Sequence, residues 1–323
     1  MRIETPRRKE YEMRRYIQVA LHRAGRAGEA RIRFMMKTWF MFPVIGSVLL
    51  AGPAACVVCA QPAVVEEVAP GVLQLGTIQS SAIVESSGVV ASHRNRGFYW
   101  THNDSSTDAV YAMTANGMVT NAIEIKNVQL EDWEDIAAAG SRLYIADIGN
   151  NDHSRDHVDI YAIPEPSLKR AGDVQPVRHW KLNYPNDPFD AESLLISRGF
   201  GYVIAKDHNP GRIYRFRLSG KTEATLEEQC TLSVSEGPAG ADLTPDNGRL
   251  AVITHAGAYL FSLPRKVPKD GTIEPALFVP FAHENMEGCC FTRDGLLVTS
   301  ESQEIFLFTD PLFRLRNGPK ALP

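Results

Sequence analysis

The chain has 323 residues, 44% of them hydrophobic and 22% charged, with a formal net charge of −4. This apolar content and length support a full buried core, and the acidic balance excludes a surface built to hold phosphate backbones, so nucleic acid is not an expected partner. The charge is unevenly placed: residues 1–34 carry +6 and Lys37 one more, which leaves −11 for the remainder.

Residues 1–34 are expected to be a basic N-terminal extension or an over-extended start, since Met35 and Met36 follow them at the head of a complete export signal. Residues 35–60 have the parts of a secretory signal peptide. Lys37 precedes an uncharged apolar run from Thr38 to Ala60 that ends in Val58-Cys59-Ala60. Cleavage after Ala60 makes the mature chain secreted or periplasmic. The same run is long enough to serve as an uncleaved membrane anchor, and Cys56 follows Pro53 and Ala54 where a lipoprotein signal wants Leu and a small residue. Residues 61–323 are expected to be one domain.

From Glu85 onward a block recurs five times, starting near Glu85, Asp132, Asp190, Pro238 and Asn285. Each copy has an inner cluster of small or acidic residues and a Gly-bearing turn. A second strand follows (GFYWTHND, RLYIADIG, GYVIAKD, RLAVITHA, LLVTSES), then a third with an aromatic near its middle: Tyr111, Tyr161, Tyr214, Tyr259 or Phe306. A strand-rich repeat of near fifty residues predicts a β-propeller, with those aromatics packed between blades. Fourth strands are expected in AIEIKNV, RHWKLNY, ATLEEQCTLSV and ALFVPF, while the fifth copy runs into DPLFRLRNGPKALP and lacks one. The segment Gly71 to Ile78 supplies it, closing an all-β ring of five four-stranded blades and removing exposed edges. Six blades, the alternative, need about forty more residues than the chain has.

In such a ring the innermost strands line a central channel whose mouth is the usual site. Aligning the copies places Ser87, Glu134, Glu192, Gly240 and Glu287 at one position, so three carboxylates converge, with Glu85, Asp132, Asp190 and Asp242 beside them. Glu134, Glu192 and Glu287 are the candidate general acids or bases. An architectural role competes with this: an inner-strand carboxylate often accepts backbone N–H groups of the next blade. Asp135, directly after Glu134, is expected to turn outward into solvent. Residues that differ between copies are better candidates for function: His102, Lys206, His255 and Glu301 for ligand contact, and Asp147. Asp104, Asp147, Asn150 and Asp207 add oxygen donors of the kind a hard cation such as calcium takes. Beyond the signal, Cys230, Cys289 and Cys290 permit one bridge, from Cys230 to either neighbour, without demanding it. No zinc spacing, nucleophile elbow or phosphate loop occurs.

The stretches Asp132-Trp-Glu-Asp-Ile-Ala, Leu143-Tyr-Ile-Ala-Asp-Ile-Gly-Asn-Asn and Ile160-Tyr-Ala-Ile-Pro-Glu-Pro resemble bacterial secreted propeller proteins of unassigned function. More distantly, the acidic inner positions look like those of the calcium-dependent gluconolactonase and phytase-like propellers, which usually have six blades. The resemblance implies an exported propeller, acting as a monomer, that binds a small ligand or metal at its acidic mouth. Its alternative implication is a hydrolase of sugars, lactones or phosphate esters.

Overall fold

The computed structural model describes residues 65–322 apart from 106, 171 and 265–268. The expected extension and signal segment lie outside the described residues. Alternating apolar residues and Gly-bearing turns build five sheets, each with an antiparallel four-stranded body that meanders outward from the channel. Blade 1 runs Ser86–Ala91, Tyr99–Asn103, Ala109–Met113 and Val119–Glu124. Blade 2 runs Trp133–Ala139, Arg142–Asp147, His157–Pro164 and Arg178–Asn183. Blade 3 runs Ala191–Ser197, Phe200–Ala205, Gly211–Arg217 and Glu227–Leu232, and blade 4 runs Gly240–Leu243, Arg249–Thr254, Gly257–Ser262 and Leu277–Pro280. In blade 5, Met286–Phe291, Leu296–Ser300 and Glu304–Phe308 are completed by Val72–Thr77, which pairs antiparallel with the last of them. The ring therefore closes with the N-terminal strand, as expected, and has five blades rather than six.

Three blades carry a fifth strand that the expectation of four misses. Glu66–Ala69 extends blade 5, Glu223–Thr225 runs parallel to the outer strand of blade 2, and Thr272–Ile273 does the same on blade 3. The stretch expected as one strand after the third copy is thus split between two blades. Each addition is two to four residues long and mostly exposed, so it has no alternation to read, yet it covers an otherwise open edge. Tyr111, Tyr161, Tyr214, Tyr259 and Phe306 are all buried, in the cores that lie between blades. The three cysteines are free and buried, so no bridge links Cys230 to Cys289 or Cys290.

The innermost strands touch in the order of the blades and back to the first, around the channel. In four of them the ladder slips by one residue at the same place: opposite His102 in blade 1, and at Glu134, Glu192 and Glu287 in blades 2, 3 and 5. A β-bulge adds one residue to a strand and re-aims its side chain, a device frequent beside functional sites. The blade 4 ladder starts one residue later: Gly240 pairs with Ile253 as Gly288, the residue after Glu287, pairs with Thr299, and the Ala239 N–H donates to the Ile253 carbonyl at 2.9 Å. The residue equivalent to the three glutamates is therefore Ala239, and the alignment of Gly240 with them is corrected by one.

Candidate functional site

The bulges bring Glu134, Glu192 and Glu287 to one end of the channel, where they are only 5%, 3% and 8% exposed. They are joined there by Asp132 and Asp190, two residues ahead of Glu134 and Glu192, and by Asp104 from the end of the second strand of blade 1. Ligating oxygens of Asp104, Asp132 and Glu134 lie within 4.8 Å of one another, and so do those of Glu134, Asp190 and Glu192. Glu134 belongs to both triads.

Against these six carboxyl groups stand Lys206 and His255, while Arg155, from the side, opposes the rise that burial gives Asp132. Lys206 Nζ is hydrogen-bonded to Glu192 Oε1. His255 Nε2 lies 3.6 Å from Glu287 Oε1 and has no hydrogen-bond partner. The electrostatics follow from this imbalance. Burial, then the neighbouring Glu192 carboxylate, push the pKa of Glu134 well up. Burial also raises Glu192, but Lys206 opposes it, and the value is about 7. Glu134 is thus the acid of the pair that holds a proton. Burial disfavours charged Lys206, yet the Glu192 carboxylate outweighs it and the amine pKa rises. Glu287 raises His255. Burial and the carboxylates of Asp132 and Glu85 lift Asp104 to about 6, and its Oδ1 is buried without a hydrogen-bond partner.

The loop after the second strand of blade 2 presses on this cluster. A Cβ on Gly149 would stand 2.2 Å from Glu134 Oε1 and 2.3 Å from Asp132 Cγ, so only glycine lets the backbone pass. Arg155 secures the loop, its Nη1 donating to Asp147 Oδ1 and to the Gly149 carbonyl, both at 2.8 Å.

The remaining candidates support the site or stand apart from it. Asp147 is held by Arg155 and accepts the backbone N–H groups of Glu131 and Asp132 at 3.2 and 3.0 Å, so it positions Asp132 and has no oxygen turned to the cluster. Asn150 donates its N–H to Asp190 Oδ1 at 2.8 Å and its side-chain amide to the Tyr184 hydroxyl. Asp207 accepts from the Asp190 N–H at 3.3 Å and sits between His208 and His153, at 2.6 and 3.0 Å. Glu301 accepts from the Asn285 amide at 3.0 Å. His102 is fully buried and stacked on Trp133 at 4.2 Å. Its Nδ1 donates to the Asn103 carbonyl and its Nε2 accepts from the Gly88 N–H, so the ring is neutral, burial lowers its pKa to about 3, and neither nitrogen is open to a ligand.

The architectural role weighed for the glutamates falls to other acids. Asp135, expected in solvent, is fully buried and accepts the Ile136 N–H and, across the blade boundary, the Leu194 N–H, each at 2.7 Å. Asp242 does the same for Leu243 and for Phe291 of the next blade, each at 2.8 Å. Asp132, Asp190, Gly149 and Arg155 complete the site without having been singled out as ligands or supports. The Asp-x-Glu spacing shared by Asp132/Glu134 and Asp190/Glu192 was the available signal for the first two.

No family model and no curated protein matches this chain. Among solved structures, virginiamycin B lyase from Staphylococcus aureus is similar at 11% identity and a TM-score of 0.38, over 74% of this chain and 98% of that one. U3-55K is similar at 11% identity and a TM-score of 0.39, over 69% and 67%. Hydrazine synthase from Kuenenia stuttgartiensis matches at 14% identity and a TM-score of 0.38, over 69% of this chain and 57% of that chain. This chain therefore spans little more than half of the length of the hydrazine synthase chain.

Proposed function

We propose that this chain is an exported propeller that binds a cation at its channel mouth, either a hard metal ion such as calcium or a small cationic ligand. The observation that carries the reading is Glu134: a buried acid placed in two overlapping carboxyl triads, with the nearby positive charges already engaged by Glu192 and Glu287. Asp104, Asp132, Glu134, Asp190 and Glu192 supply the oxygen donors that calcium takes. Asp147, Asn150 and Asp207 hold two of them in place. The test is thermal unfolding of the purified chain in EDTA and in calcium, with elemental analysis of the protein as isolated. Binding to the folded state alone raises the melting temperature. A melting temperature indifferent to calcium, magnesium and EDTA, together with no bound metal, would overturn the reading.

A second reading, a hydrolase, is favoured by the unequal acid pair. A neutral Glu134 beside a Glu192 held toward its charged form by Lys206 is the pattern of one general acid and one base. Carboxylate oxygens of the two lie within 4.8 Å of one another, closer than the roughly 5 Å or more that sugar hydrolases keep between their carboxyls. Within this reading a metal-assisted lactone or phosphate-ester substrate fits better than a glycoside, and an esterase and phosphatase screen with and without calcium tests it.

A further inference from the structure

A cavity of about 370 Å³ lies between blades 3 and 4, away from the carboxyl cluster. Its origin is one position of the repeat. Cys230 pairs with Ile213, which pairs with Ile204 opposite Ser193; in blade 2, Trp180 pairs with Ile160, which pairs with Ala146 opposite Asp135. Cys230 therefore stands where blade 2 carries Trp180. That indole is buried between Tyr144 and Phe216, at 6.1 and 6.0 Å, and fills the gap between blades 2 and 3. A thiol in its place leaves the next gap unfilled. Native interiors hold few voids larger than a water, and this volume falls in the range of ligand cavities, about 300–1,000 Å³.

The lining has a definite chemistry. Leu195, Ile213 and Leu250 are among its apolar walls, and its charged residues are Arg198, Arg215 and Lys269, with no carboxylate among the described lining residues. Such a one-signed set is unexpected on a domain whose balance is acidic. Arg215 is held in place, donating Nε and Nη2 to Glu227 Oε2 at 3.1 and 2.9 Å and lying 5.0 Å over the Phe200 ring. Lys269 is exposed. We propose that this inter-blade cavity binds an amphipathic carboxylate of the medium-chain fatty-acid kind, its apolar body against Leu195, Ile213 and Leu250 and its head group at Lys269 and Arg215. The site shares no residue with the carboxyl cluster and stands or falls apart from the cation reading.

The test is calorimetric titration of the full chain with decanoate, decanol and decyltrimethylammonium, which share a tail and differ in head charge. Decanoate is expected to bind about tenfold more tightly than either of the others, on the scale of one charge-assisted contact. Lys269→Glu should remove most of that preference and leave decanol binding unchanged. Cys230→Trp, which restores the filling residue of blade 2, should abolish binding of all three while the response to calcium persists. Equal binding of decanoate and decyltrimethylammonium, or no saturable binding of decanoate, overturns the proposal. That comparison uses the parent chain alone, so it decides the matter even where the Cys230→Trp chain fails to fold.

Discussion

The buried acids make stability fall as pH rises above neutrality, opposite to the usual behaviour of surface carboxylates. The decisive window runs from about pH 6.5 to 8, where His102, neutral when folded and about half protonated when unfolded at the lower end, adds an opposite slope of at most half a proton that fades as pH rises. Glu134 has a folded pKa raised well above its unfolded one. A raised acid is fully compatible with folding below the unfolded pKa, and its contribution is lost as pH climbs, because the unfolded chain ionises freely and the folded chain holds its proton. His255, raised by Glu287, has the same sign, since its pairing is lost as pH passes its folded pKa. Each proton held only by the folded state costs about 1.4 kcal/mol per pH unit. While Glu134 keeps its proton, each pH unit therefore lowers the melting temperature by roughly 3–6 °C for a domain near this size. Calcium binding displaces that proton, so its stabilisation should grow with pH, about tenfold in affinity per unit for one proton released. Scanning fluorimetry in EDTA and in calcium across the window reads both effects. Glu134→Gln keeps the neutral form, so it should flatten the EDTA slope, melt higher than the parent at the alkaline end, and lose the calcium response. A melting temperature in EDTA that is flat or rises with pH, or a calcium effect equal at both ends, would refute the reasoning.

Lys206→Met removes the cation from Glu192. Losing one partner of a buried pair costs on the order of 3–5 kcal/mol; because the Lys206 side chain is 33% exposed, roughly 2 kcal/mol is expected in urea unfolding, and adding Glu192→Gln should recover most of it. Gly149→Ala forces a methyl into Glu134 and Asp132, so calcium affinity should drop by about an order of magnitude while circular dichroism stays that of the parent; an unchanged affinity would mean the loop does not press on the site. Asp147→Asn takes from Arg155 the nearest of its carboxylates, where the two side chains are 1% and 8% exposed, and leaves Asp159 and Glu131 each at 3.7 Å; a loss of about 1–3 kcal/mol is expected from denaturant midpoints.

The ring and its closing strand were legible because each long strand carries alternation and each hairpin a turn glycine, signals that survive without any alignment. The short outer strands at Glu223–Thr225 and Thr272–Ile273 were not, since they pair in parallel with a neighbouring element and bury almost nothing of their own. At the mouth, the glutamates were legible as a set, but copy four was misaligned because Ala239 and Gly240 offer no side chain to anchor the register. Differences between copies pointed to Lys206 and His255, which do meet the acids, and equally to His102 and Asp147, which are tied into the backbone. Sequence alone does not separate these cases, because whether a polar residue is already satisfied depends on partners such as Gly88 N–H and Arg155 that only the fold brings close.

The acids at the mouth are not what the architecture requires. Backbone donors at two blade boundaries are already satisfied by Asp135 and Asp242. Blade 1 makes its bulge with Ser87 and Gly88 opposite His102, and blade 4 carries Ala239 at the equivalent place. A ring of these five sheets therefore forms without a carboxylate at that position. Blades 2, 3 and 5 nevertheless bury one there, and each raised acid lowers stability at neutral pH. Groups that cost stability, serve no framework bond and converge on one point are expected where a ligand recovers the cost. The carboxyl imbalance around Glu134 is of that kind, and a cation is the ligand whose charge would relieve it.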